Sequence, residues 1–125
     1  MKVYTNKYLT YNTFGLIYSY LKQSESIMKI ENKIYIPLII NNIYNYKNKI
    51  NIKINPTLYI PNSINNYLTK FVYFDPKSYD LVREDELIKI KLVFENNKKN
   101  ILLPNNIEVG DIILVEDTDK FNGIY

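Results

Sequence analysis

Strict alternation of apolar and polar residues constrains this chain more than any other feature. Lys49 to Asn55 sets Ile50, Ile52 and Ile54 on one face and Lys49, Asn51 and Lys53 on the other. Ile88 to Glu95 repeats the pattern, with Ile88, Ile90, Leu92 and Phe94 inward and Lys89, Lys91, Val93 and Glu95 outward. A period of two matches a β-strand, whose successive side chains leave opposite faces, and not the 3.6-residue helical repeat. Both segments therefore read as half-buried strands with a cationic outer face. Further strands are expected at Ile27 to Ile30, Ile34 to Ile36, Leu58 to Ile60, Phe71 to Phe74, Ile101 to Leu103 and Ile112 to Glu116. With no Ala, 20 Ile and 13 Tyr, β-branched and aromatic residues favour sheet over helix throughout.

One segment breaks the pattern. Thr13 to Lys22 carries Phe14, Ile17, Tyr18 and Leu21 at i, i+3, i+4 and i+7, the apolar stripe of a helix, with Asn12 or Thr13 as its N-cap. Gly15 weakens that helix by about 1 kcal/mol relative to Ala. Two gapless segments, Ile34-Tyr-Ile-Pro-Leu-Ile-Ile-Asn-Asn42 and Leu58-Tyr-Ile-Pro-Asn-Ser-Ile-Asn-Asn66, agree at six of nine positions, and Ile101-Leu-Leu-Pro-Asn-Asn-Ile107 has the same shape. In each, a strand is expected to end at its proline, which lacks the ladder donor. Pro61 then suits the first position of a short helix, with Ile64, Tyr67 and Leu68 on one side. A composition dominated by a few residue types also produces such matches without duplication. Polar turns at Glu31-Asn32, Asn55-Pro56-Thr57 and Asn96 to Asn100 make hairpins the expected unit, and Gly110-Asp111 a tight turn into a buried strand.

The expected fold is α+β, mostly β: a small β-barrel or hairpin-based sheet with one N-terminal helix and one short helix after Pro61, in a single domain over 1–125. A chain of 125 residues buries about two-thirds of its surface, enough for one core without staples. The order of hairpin, strand ending in Leu-Pro104, polar linker, Val109-Gly-Asp111 and strand resembles the swapped-hairpin DNA-binding domains of the AbrB and MazE type, in which two chains interleave into one barrel. The resemblance covers Lys89 to Glu116 and, more loosely, Lys49 to Leu81. It implies a barrel, a homo-oligomer and DNA as partner. Pro104 to Glu108 is shorter than the family's helix, and the family's Arg-rich contact loops have no counterpart in a chain whose one Arg is Arg83.

Composition removes much chemistry. Without Cys or His there are no disulfides, thiolate sites, Ser-His hydrolase pairs or HExxH zinc sites. The three glycines are isolated, so no phosphate-cradling loop is present. Asp111, Glu116, Asp117 and Asp119 lack the spacing of a calcium loop and read as a solvated edge, while Arg83 to Glu86 reads as a turn or helix end. No catalytic residue, metal or cofactor is expected. The longest apolar run, Ile34 to Ile40, is too short to span a bilayer and is interrupted by Pro37, so no membrane partner and an intracellular location are expected. The abundance of Ile, Asn, Lys and Tyr, all with A/T-rich codons, points to an A+T-rich genome, cellular or viral.

Charge is uneven along the chain. Ten Lys against four acids give residues 1–80 a net +6, and six cations against nine acids give residues 81–125 a net −3. The most suggestive stretch is Tyr44-Asn-Tyr-Lys-Asn-Lys49 through Lys53, where aromatics alternate with cations before and along a strand. Lys47, Lys49 and Lys53 are candidate phosphate contacts, with Tyr44, Tyr46 and Tyr59 for base stacking. The expected function is a nucleic-acid-binding or regulatory domain, with DNA or RNA as partner and a homo-oligomeric state. The structural alternative is a Tyr-rich hairpin on the core with solvated Lys guarding an edge. The functional alternative is a viral or mobile-element structural or interaction subunit, for assembly or host-defence inhibition, that binds another protein through its Tyr-rich surface.

Overall fold

The computed structural model describes residues 1–23, 27–54, 68–78, 80–82, 86–94 and 97–117. Its elements are β1 (Val3–Thr5), α1 (Tyr11–Lys22), β2 (Met28–Ile30), β3 (Lys33–Tyr46), β4 (Lys49–Ile54), β5 (Thr69–Lys70), β6 (Val72–Asp75), β7 (Asp80–Val82), β8 (Leu87–Phe94), β9 (Asn97–Pro104) and β10 (Ile112–Asp117). The strands join in the order β5-β9-β8-β4-β3-β10-β1-β6-β7, with β2 paired to β3. Only Phe71 separates β5 from β6, yet β5 pairs with β9 and β6 pairs with β1. One bent segment, 69–75, thus ties the two ends of the path together, and the Phe71 N–H donates to the Leu102 carbonyl at 3.0 Å. The result is a nearly closed barrel, mostly β, as the alternation implies.

Alternation divides the apolar residues between two cores. Tyr4, Ile36, Leu38, Ile40, Ile52, Ile54, Phe71, Ile90, Leu92, Ile101, Leu103, Ile113 and Val115 fill the interior. The opposite side chains of β1, β6 and β10, including Val3, Phe74, Ile112 and Leu114, face outward and are covered by α1 through Phe14 and Ile17. Phe14 stacks on Phe74 with ring centroids 4.4 Å apart. The helix begins two residues before the expected start. Its N-cap is Thr10, not Asn12 or Thr13, because the Thr10 hydroxyl accepts from the Thr13 N–H at 3.2 Å. Its stripe is also shifted from the expected one: Tyr18 is exposed, and Tyr20 packs with Leu21 instead.

Pro37 does not end its strand. The Ile40 N–H donates to the Asp111 carbonyl at 2.9 Å, so by alternation Leu38 and Ile36 also face β10, and Pro37 turns its nitrogen to the opposite side. There β2 pairing stops at Tyr35 and β4 pairing starts at Ile40, so the missing donor leaves no ladder bond unmade. β9, by contrast, does end at Pro104. A second correction concerns turns. Asn97 pairs with Phe94, so Lys98 to Asn100 belong to β9, not to a loop. Lys47 and Asn48, both at positive φ (52° and 62°), make the two-residue turn between Tyr46 and Lys49 that matches the twist of a hairpin. Glu31-Asn32 and Gly110-Asp111 turn as expected, Gly110 taking φ 94° with the Asp111 N–H bonded to the Glu108 carbonyl at 3.1 Å. The strand expected at Leu58 to Ile60 and the helix after Pro61 lie outside the described residues.

A buried pair on the outer face of β3 and β10 sets an alkaline limit on stability. Tyr35 lies opposite Glu116, whose carboxylate sits 3.3 Å from the Lys33 ammonium. Burial, with Glu116 and then Glu31 nearby, pushes the Tyr35 hydroxyl up from 10.0 to about 12. Between those values the folded chain keeps a proton that the unfolded chain has released, so stability falls as pH rises. The slope is about 1.4 kcal/mol per pH unit, about 2–3 kcal/mol across the window, and is absent below it. Urea unfolding on both sides of the window should show this drop in the parent and a shallower one in Tyr35→Phe; equal drops would contradict it.

Candidate functional site

The hairpin register places the singled-out residues on one surface. Because Ile43, Ile50 and Ile52 pack toward the interior, Tyr44 and Tyr46 of β3 and Lys49 and Lys53 of β4 face outward. β4 runs parallel to β8, with Asn51 opposite Lys91, so the same register brings Lys49 level with Lys89. β8 in turn sets Lys91 against Asn100, Val93 against Lys98 and Lys89 against Leu102, and β5 sets Lys70 against Leu102. Three rows cross the outer face: Tyr46, Lys49, Lys89, Leu102 and Lys70; then Tyr44, Asn51, Lys91 and Asn100; then Asn42, Lys53, Val93 and Lys98. The turn adds Lys47. All of these lysines are exposed except Lys91, which is half-buried, as is Tyr44.

Tyr46 is half exposed and carries two ammonium groups near its ring, Lys47 at 5.3 Å and Lys98 at 5.5 Å. Lys98 is three strands and two rows away. A flat sheet would set the two Cα atoms about 20 Å apart, at about 4.8 Å per strand and 3.3 Å per residue, beyond the reach of the side chains. Strand twist must therefore bend this diagonal toward itself, making the outer face concave along it. Asn51 and Lys91 lie at the middle of the diagonal. Asn51, outward-facing yet 1% exposed, forms its floor and donates its side-chain N–H to the Lys49 carbonyl at 3.0 Å.

The acidic residues lie elsewhere. The salt bridges among the described residues are Lys2 with Asp111 and Lys33 with Glu116, and neither uses a lysine of this face. Asp111 and Glu116 are buried, not a solvated edge. Asp111 accepts from the Lys2 N–H at 3.0 Å and the Glu108 N–H at 2.9 Å, pinning the first strand to the turn before β10. Their work is structural, and no acidic cluster among the described residues is arranged to hold a metal.

Lys47, Lys49, Lys53, Tyr44 and Tyr46 are thus brought together, while Tyr59 lies outside the described residues. Lys70 and Lys98 escaped sequence reasoning. Lys98 was hidden by the turn expected over Asn96 to Asn100. The division of charge by chain halves also dissolves, since both halves supply this face. On another side of the barrel, Met1, Tyr8, Tyr11, Leu16 and Tyr18 expose apolar surface around α1, and Met1, Phe14, Gly15, Tyr18 and Pro76 line an open groove of about 310 Å³. Among the described residues no helix is long and apolar enough to cross a membrane. Compared with known proteins, the chain matches no family model, no curated protein and no solved structure.

Proposed function

We propose that this protein binds nucleic acid through the outer face of β3, β4, β8, β9 and β5. Lys47, Lys49, Lys53, Lys70, Lys89, Lys91 and Lys98 meet phosphates, and Tyr44 and Tyr46 meet bases. The observation that carries this reading is the collection of these lysines, from separate strands, on one face away from the salt-bridged carboxylates. Like charges on neighbouring strands cost stability, and a polyanion offsets that cost by drawing on all of them at once. Edge protection does not account for them, because β4 and β8 are each paired on both sides and Lys49, Lys53, Lys89 and Lys91 guard no edge. The reading agrees with the DNA partner implied by the swapped-hairpin resemblance, and places the chain beside nucleic acid inside a cell or a virus-infected host.

Salt titration with labelled single-stranded and duplex oligonucleotides, read by fluorescence anisotropy, tests it. The logarithm of affinity should fall linearly with the logarithm of salt, by about 0.7 per phosphate contact on a single strand and 0.9 on a duplex. Failure to bind either oligonucleotide at low salt would remove the proposal. A protein-binding role centred on the apolar surface around α1 predicts that outcome, together with association that persists in high salt.

A further inference from the structure

We infer that Tyr46 is a stacking platform for an unpaired base, held shut by Lys47 and Lys98 until phosphates draw their ammonium groups away, so that the preferred ligand is a single strand. This inference rests on the nucleic-acid reading above and names the form of ligand that the face selects.

Three observations lead to it. Tyr46 is a large aromatic side chain at 50% exposure, standing beside the hairpin turn with no other aromatic ring against it among the described residues. Two cations lie over its ring, at 5.3 and 5.5 Å, and cation–π contacts at such exposed sites are weak. Those same cations belong to the cationic face, one from the turn and one from across the concave diagonal. A single strand offers each group a better partner together: phosphate oxygens for Lys47 and Lys98, and a base plane for the ring they leave. A duplex offers the phosphates alone, because its bases are already stacked and paired. Lys98 is then both a phosphate contact and the group that sets where the ring waits.

Binding of the full chain and its Tyr46→Leu, Tyr46→Phe and Lys98→Gln variants to three probes tests this. The probes are an oligothymidylate of about 15 nucleotides, a duplex of the same length, and inorganic polyphosphate, which carries the charge without bases. The parent should bind the oligothymidylate more tightly than the duplex. Tyr46→Leu should lose about tenfold on the oligothymidylate, with an unchanged salt slope and no loss on polyphosphate, and Tyr46→Phe should retain binding. Lys98→Gln should lower the salt slope by about 0.7 on the single strand. Thermal melting of each variant confirms that the exposed substitutions leave the fold intact. Oligothymidylate binding by Tyr46→Leu equal to the parent's, or an equal loss on polyphosphate, would overturn the platform while leaving nucleic-acid binding in place. Absence of binding to every probe at low salt would overturn both.

Discussion

Reversing Lys49 and Lys89 together to Glu should weaken oligonucleotide binding about 100-fold near physiological salt and leave the melting temperature nearly unchanged. By the register of β4 with β8 the two residues stand level on neighbouring strands in the row of the cationic face that begins at Tyr46. Each phosphate contact on a single strand contributes about 0.7 to the salt slope, or roughly fourfold in affinity at 0.15 M salt relative to 1 M. Losing two contacts accounts for about 15-fold, and the two carboxylates now facing phosphates supply the remainder through repulsion. The expected effect on the fold is small. Both side chains are exposed and neither is in a salt bridge among the described residues, so the level Lys–Lys pair becomes a Glu–Glu pair of similar repulsion, offset by new Glu–Lys neighbours such as Lys91, each worth less than about 1 kcal/mol. Lys7→Glu with Lys77→Glu is the matched control. Two reversals shift the formal net charge from +3 to −1 in either pair, but Lys7 and Lys77 lie in the connections after β1 and β6, off this face. If the control pair weakens binding as much as Lys49 and Lys89 do, net charge rather than this surface governs affinity.

Much of that surface could be read from the sequence, and the part that could not has a physical cause. Period-two alternation is a local signal, so it identified β4 and β8, their buried faces and the outward direction of Lys49, Lys53, Lys89 and Lys91. Alternation says nothing about which strands become neighbours. The parallel pairing of β4 with β8 joins residues 40 apart in sequence, and it alone turns two cationic strands into one face. Local rules failed where the answer depended on the partner strand. Pro37 reads as a strand terminator until its nitrogen is seen to face a gap between β2 and β4. Asp111 and Glu116 read as solvated acids because nothing local reveals that Lys2 and Lys33 come to meet them. Lys47 and Asn48 read as part of a cationic run; their positive φ, which Asn accepts more readily than Lys, is what turns the chain. Tyr46 was singled out for its type, but its pairing with Lys98 depends on sheet twist, which has no signature in the residues themselves.

Phe71→Ala should cost about 3–5 kcal/mol, against a total stability of about 6–19 kcal/mol expected for a chain of this length. Phe71 is fully buried in the barrel interior, and its N–H donates to the Leu102 carbonyl where the chain passes from β5, paired with β9, to β6, paired with β1. Truncation therefore removes an aromatic ring from the core at the seam, where neighbouring strands are held by only two residues of β5 and four of β6 and cannot easily collapse into the space. Phe71→Leu, which fills most of the volume, should cost less than half as much. Urea unfolding measures both variants, with the midpoint falling and the slope held if the transition stays two-state. An open hairpin-based sheet predicts something else, because there Phe71 would lie at an exposed end and its truncation would cost under about 1 kcal/mol. The binding data give the complementary contrast. Phe71 points away from the cationic face, so Phe71→Ala should reduce oligonucleotide affinity only by the fraction of chains unfolded and restore it fully on cooling to a stable temperature. The Lys49 and Lys89 reversal should do the reverse, leaving stability in place while binding is lost. If Phe71→Ala removed binding from a chain that is still folded, the outer face would depend on the seam's geometry, and closure of the barrel rather than the placement of lysines would be the feature that makes the site.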